Sequence, residues 1–148
     1  MLNNKIEIRL IVYGSEEYMR ELELRDEVLR KPIGLSIFDD HLEKETKDYH
    51  IGAFRNEVLV GILILTDINN DQIKVRQVAV DELFRGKHIG TKLTIYAEDL
   101  AKRLDYKRII LNARKTAVEF YEKLGYLKEG DEFLEVGIPH FRMHRPLD

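Results

Sequence analysis

The sequence predicts an α/β fold in which a mixed sheet carries helices on both faces. Three observations point there. Residues 5–13 alternate, with Ile6, Ile8, Leu10 and Val12 on one face of a strand, and a helix-start signal follows at Ser15. Two apolar segments, roughly 49–55 and 58–66, flank the hairpin turn Arg55-Asn56-Glu57. From residue 73 onward, strand and helix patterns alternate before a final pair of strands, an order that builds a mixed sheet. At 148 residues the chain suits one domain, 1–148, with a real core.

The elements follow in order. The first helix starts at Ser15, carries Glu16 and Glu17 in its first turn, and runs to Arg30 before Pro32. Tyr18, Leu22 and Leu29 form its apolar stripe, and Arg25 falls in the middle of it. Arg25 there either snorkels at the stripe's edge or points into a polar cavity. Residues 33–48 read as irregular, with Asp39 or Asp40 capping a short helix through 41–43. The strand 58–66 is apolar on both faces and belongs in the middle of the sheet. The turn Asn69-Asn70-Asp71 leads to a strand from about Ile73 to Val80. Alternation puts Arg76 on one face with Val78 and Val80, and Gln77 on the other with Val75 and Ala79. Such a polar pair requires partners or a cavity, and a structural ion pair explains Arg76 as well as a ligand does. A helix from His88 to Arg103 follows, with Ile89, Leu93, Tyr96, Ala97 and Leu100 on its stripe. Then come a strand at 107–113, a short helix at 115–124 ended by Gly125, and strands at 126–135 and 139–145 joined by Gly-Ile-Pro.

Bulk properties exclude several functions. Net charge is −3, against a general nucleic-acid footprint. No apolar run approaches membrane-spanning length, and the first residues lack a signal-peptide core, so cytoplasm is the expected compartment. With no cysteine there are no disulfides, no thiolate metal sites and no cysteine nucleophile, so group transfer would be direct or use another residue. His140 and His144 share a strand face with Arg142 between them; lacking a third ligand, the pair predicts no metal. His41 and His50 read as ordinary surface or core residues.

The chemistry concentrates in Val75–Thr91, where a buried strand feeds a basic, glycine-bearing turn that opens a long helix. Free N–H groups at such a helix start bind anions. The turn is neither a Walker loop nor a three-glycine dinucleotide fingerprint. The run Val78–Gly90, ending R-G-K-H-I-G, and the later A-V-E-F-Y-E-K-L-G-Y, Ala117–Tyr126, resemble the two hallmarks of the GNAT family of N-acetyltransferases. The resemblance implies a mostly antiparallel sheet of six to seven strands, splayed between the fourth and fifth, and acetyl-CoA as co-substrate without a metal. It assigns cofactor contacts to Val78, Ala79 and Val80 on the strand, to Arg85, Gly86, Lys87, His88, Ile89, Gly90 and Thr91 on the turn, and to Tyr121. His88 departs from the glycine usual at its position; it is either a bystander at the helix start or a phosphate contact.

A narrower resemblance rests on L-R-x-x-x-L-R-x-P (Leu24–Pro32), V-R-Q-V-A-V, L-N-A-R (Leu111–Arg114) and E-x-G-I-P-H (Glu135–His140). These are similar to the branch that includes the glyphosate N-acetyltransferases. That implies an anionic substrate held by Arg25, Arg76 and Arg114, His140 as base, and Tyr121 as the proton donor to the leaving thiolate. Beside Phe120 on an amphipathic helix, Tyr121 reads as core more than as catalyst, and only the motif match favours the catalytic role. The expected function is direct transfer of acetyl to a small anionic amine of amino acid or aminophosphonate type. Protein, peptide or polyamine amines are the alternative acceptors, and a non-catalytic acetyl-CoA sensor is the alternative class. The expected partners are the amine and acetyl-CoA, with no nucleic acid and no membrane; a homodimer is left open.

Overall fold

The computed structural model describes residues 5–148. Its strands are β1 (Ile6–Ile11), β2 (Tyr49–Arg55), β3 (Val58–Asp67), β4 (Gln72–Val80), β5 (Arg108–Arg114), β6 (Leu127–Glu135) and β7 (Ile138–Pro146). The α-helices are α1 (Glu16–Arg25), α2 (Ile89–Arg103) and α3 (Val118–Lys123). One seven-stranded sheet has the order β1-β2-β3-β4-β5-β7-β6. All neighbours are antiparallel except β4 and β5. Among the described residues, no helix is long and apolar enough to cross a membrane.

Local chemistry accounts for the turns. Asn56 and Glu57 both take positive φ (50° and 68°), the two-residue hairpin geometry that matches strand twist. Val136 and Gly137 do the same between β6 and β7 (47° and 74°). The turn thus starts one residue ahead of the expected Gly-Ile-Pro, whose Ile138 and Pro139 belong to β7. Ser15 caps α1 by accepting from the Tyr18 N–H at 3.2 Å.

The first helix is shorter than expected. It leaves α geometry after Arg25, passes through a π turn over Asp26–Arg30, and ends in a 3-10 turn at Lys31–Ile33. Asp26 is buried there, and its carboxylate accepts the Ile37 N–H at 2.9 Å, tying the end of the helix to the following loop. The short helix expected through 41–43 is a 3-10 turn at Leu42–Glu45 that neither Asp39 nor Asp40 caps, and Ser36 caps a separate 3-10 turn at Ile37–Asp39.

β3 is central, fully buried from Val60 to Leu65. Its Leu63 and Leu65 face α2, packing with Ile89 and Leu93, while Ile62 packs with Tyr18, Leu22 and Phe54 on the α1 side. Gly61 allows α2 to approach the sheet closely. A Cβ there would lie 2.8 Å from Ile89 Cγ2 and 3.2 Å from Leu93 Cδ1. Gly61→Ala is therefore expected to destabilise by about 1–3 kcal/mol through overpacking. Thermal unfolding checks this; an unchanged Tm would mean that α2 shifts away without penalty.

The simple alternation expected for β4 fails at one residue. Ile62 pairs with Ala79 but Ile64 pairs with Arg76, so two residues of β4 oppose Leu63 alone. This β-bulge sits at Gln77, whose φ is +54°. It resets the faces: Val75 lies with Val78 and Val80 on the α2 side, while Ala79 packs on the α1 side. Arg76 reaches toward Thr66 and Asp48, and Gln77 toward α1.

Candidate active site

β4 and β5 pair only from Gln72–Arg108 to Val75–Leu111. Beyond Val75 they part, and the bulge at Gln77 turns β4 further from its neighbour. A cleft of about 810 Å³ opens at this splay. Val78 and Val80 line it from β4, Arg114 from the end of β5, Tyr121 from α3, and His140 from β7. Arg76 lines it also, whereas Ala79 faces the α1 side.

A second hollow of about 400 Å³ adjoins the cleft through Val80, Arg85, Gly90 and Phe120. Gly86, His88, Ile89 and Thr91 line it. His88 takes φ +61° as the residue preceding α2, and no side chain caps that helix. The first-turn N–H groups thus meet the hollow without a side-chain acceptor, beside Arg85. Lys87 stands exposed on the turn and lines none of these hollows.

His140 is 4% exposed. Its Nδ1 lies 2.7 Å from the Ile138 carbonyl oxygen, which can only accept, so Nδ1 carries the proton. The neutral ring then keeps its lone pair on Nε2, 3.4 Å from Glu135 Oε2. Phe133 stacks on the ring at 6.0 Å between centroids. Glu135 also accepts from Asn112 Nδ2 at 3.0 Å. His144 turns elsewhere, with Nδ1 3.3 Å from Glu129.

Tyr121 is buried, packed edge-on against Phe120 and Tyr126. Burial pushes its hydroxyl pKa up to about 12, which keeps it a proton donor.

Arg25 is not brought to the cleft. It is fully buried, and its guanidinium donates to Glu45 at 2.6 and 2.9 Å and to Glu21 at 2.9 Å. Burial opposes its charge, but Glu45 and Glu21 outweigh that and raise its pKa. Both ring nitrogens of His50 face acceptors, Glu21 Oε2 at 2.8 Å and the Glu45 carbonyl at 3.0 Å. Glu21, Glu45 and His50 lie close enough together for metal ligation, but Arg25 already binds both carboxylates. The remaining donor of Arg25, Nε, reaches Gln77 Oε1 at 3.4 Å. The helix-1 arginine therefore braces the bulge from behind.

The cleft also holds charged residues that the sequence reading passed over. Glu135 belongs to E-x-G-I-P-H and lines the cleft beside His140. Arg30 lines the cleft yet is paired with Asp40 at 3.0 Å. Lys74 lines it from β4 and looked like a routine polar position in an alternating strand. A groove of about 920 Å³ meets the cleft at Arg85 and Arg114 and is lined by Glu23, Glu27, Glu57, Asp81 and Glu82.

Comparison with known proteins bears on this geometry. The family profile of the acetyltransferase (GNAT) domain matches residues 23–147. A Bacillus subtilis protein named as an uncharacterized N-acetyltransferase is 28% identical over 138 residues, spanning 92% of this chain and 98% of that one. The crystal structure of an acyl-CoA N-acyltransferase from Pseudomonas aeruginosa superposes with a TM-score of 0.80 at 25% identity, over 97% and 99% of the two chains. A GNAT acetyltransferase from Elizabethkingia anophelis, crystallised with acetyl-CoA, superposes at 0.75 with 18% identity, over 98% of this chain and 100% of the other.

Proposed function

The chain belongs to the GNAT family of N-acetyltransferases, and from that premise we propose that it moves acetyl from acetyl-CoA directly to the amine of a small anionic acceptor, of amino acid or aminophosphonate type. The observation that carries this reading is the cleft itself. His140 with its Nε2 lone pair, a protonated buried tyrosine, and Arg76 and Arg114 among the cleft's cations line one splay between parallel strands.

Acetyl-CoA would bring the acetyl group as a thioester, an acyl donor that an amine attacks directly. The uncapped start of α2, with Arg85 beside it, suits its phosphates. The parted strand at Val78–Val80 offers backbone N–H groups for a developing oxyanion. His140 Nε2 takes the proton of the amine, which is an ammonium in neutral water. Glu135, 3.4 Å away, then pairs with the imidazolium. As the C–S bond breaks, Tyr121 gives a proton to the departing sulfur and is reprotonated by the second proton that the acceptor nitrogen loses in becoming an amide. Arg76 and Arg114 hold the acid group of the acceptor, as planar guanidinium groups do well. Arg25 serves this site through Gln77, without touching the acceptor.

A second reading has one observation in its favour. The acid-lined groove meeting the cleft at Arg114 suits a cationic acceptor, a polyamine or a basic peptide. Acetyl-CoA-dependent thiol release against acidic amino acids, neutral amino acids, aminophosphonates, polyamines and short peptides separates the two. We expect turnover confined to acidic amines, with Arg114→Met raising their KM. Turnover with polyamines or peptides would replace the anionic acceptor with a cationic one, and no turnover beside tight acetyl-CoA binding would favour a sensor.

A further inference from the structure

We propose that Lys74 is a cation of the acceptor site and, with Arg76, selects for the acid group of the substrate. The inference rests on the anionic-acceptor reading and names a residue that neither the motifs nor the family resemblance assign.

Some of the cations near the cleft already have partners. Arg25 is neutralised by Glu21 and Glu45, and Arg30 by Asp40. Among the described residues Arg76 has one counter-ion, Asp48 at 3.9 Å, besides a long contact to Thr66 Oγ1 at 3.5 Å. Desolvation raises the Asp48 pKa, which weakens it as a counter-ion. Lys74 and Arg114 line the cleft with no side-chain hydrogen bond or ion pair among the described residues. Apart from Arg85 at the adjoining hollow, these are the cleft cations without an ion-pair partner among the described residues.

Lys74 stands two residues before Arg76 on β4, before the bulge, so both side chains leave the same face of the strand. Its backbone is locked on both sides, against Thr66 of β3 and Ile110 of β5. The stem of Lys74 is therefore rooted where the two strands are still paired, on a rigid element. Burial lowers its pKa; Glu135 acts to raise it, while Arg76 and Arg142 lower it further. A half-buried ammonium that has Glu135 on one side and two arginines on the other lacks solvation that a bound anion would restore. Glu135 cannot fill that role fully, because its carboxylate already accepts from Asn112 Nδ2. An acceptor carboxylate or phosphonate would reach Lys74 and Arg76 together. Its amine would remain free to extend toward His140.

The test is steady-state kinetics of Lys74→Met and Lys74→Arg, using the best acidic amine of the wild-type enzyme and the same amine with its acid group converted to an amide. Methionine keeps the length and apolar stem of lysine, so the strand position is retained. Lys74→Met is expected to raise KM for the acid about 10- to 100-fold with kcat and the KM for acetyl-CoA nearly unchanged, the signature of lost ground-state binding. The amide should be a poor substrate for both proteins, to the same degree, and Lys74→Arg should recover most of the affinity. An unchanged KM for the acid overturns the assignment of Lys74. Equal losses for acid and amide overturn it also, because they mark a structural role. A wild-type enzyme that prefers the amide would instead sink the anionic-acceptor reading, and this inference with it.

Discussion

His140→Ala is expected to lower kcat by about 10²–10⁴-fold, the usual contribution of a positioned general base. The size follows from the chemistry. An alkyl ammonium has no lone pair, so attack on a thioester waits on removal of a proton, and the ring is set to take it. Nδ1 is committed to the Ile138 carbonyl at 2.7 Å, which leaves Nε2 as the only basic nitrogen. Phe133 fixes the ring plane, and Glu135 waits 3.4 Å from Nε2 for the charge. Raising the pH should restore part of the lost rate, because bulk hydroxide then supplies neutral amine without the ring. Thiol release measures this directly, since the chain has no cysteine to react with a thiol reagent. If His140→Ala kept its rate within threefold of wild type across the pH range, the base would lie elsewhere. Glu135→Gln should have a smaller effect on kcat, because it removes the partner of the imidazolium and leaves the base in place.

The parts of the site legible in the sequence are those written in local chemistry. A strand running into a basic turn and a helix start is a continuous pattern, and Val75–Thr91 folds as that pattern reads. Central placement of β3 follows from an apolar run with no polar face. The bulge at Gln77 was not legible. Nothing in an apolar run announces a positive φ at glutamine, and that one residue moves Val75 and Ala79 to opposite faces. Arg25 was legible as an anomaly and not as an outcome. Its partner Glu21 sits one helical turn away, but Glu45 lies on a remote 3-10 turn and His50 on β2. Only the folded chain shows that the polar surroundings of the stripe are carboxylates of the protein itself. Lys74 escaped notice for the converse reason. A lysine in an alternating strand is unremarkable until its neighbours prove to be other cations.

Arg25→Met should cost about 3–5 kcal/mol, because removing one partner leaves buried carboxylates uncompensated. For a chain of this length, that lowers Tm by roughly 6–20 °C. The pH dependence separates charge from packing. Desolvation alone would raise the Glu45 pKa, but Arg25, and after it the Tyr18 hydroxyl, bring it below the usual 4.5. Its stabilising contribution is thus complete above that value and is lost as the pH falls through the lower, folded-state pKa. His50 is shifted the other way. Burial disfavours its charge, Glu21 more than offsets this, and its pKa is raised above 6.5. Its contribution is complete below 6.5 and is lost as the pH rises through the higher, folded-state pKa. The cluster therefore stabilises wild type most fully between 4.5 and 6.5. Without Arg25, Glu45 loses the group that lowers its pKa, and burial then favours its protonated form. The Tm deficit of Arg25→Met should shrink on acidification, as the orphaned carboxylate takes up a proton. A deficit that stayed constant with pH would mean that lost packing, and not lost charge, sets the penalty. The same substitution frees Gln77 Oε1 from its contact with Arg25 Nε. Well below its reduced Tm, the variant should therefore lose kcat as well as stability, because the bulge that parts β4 from β5 no longer has its brace.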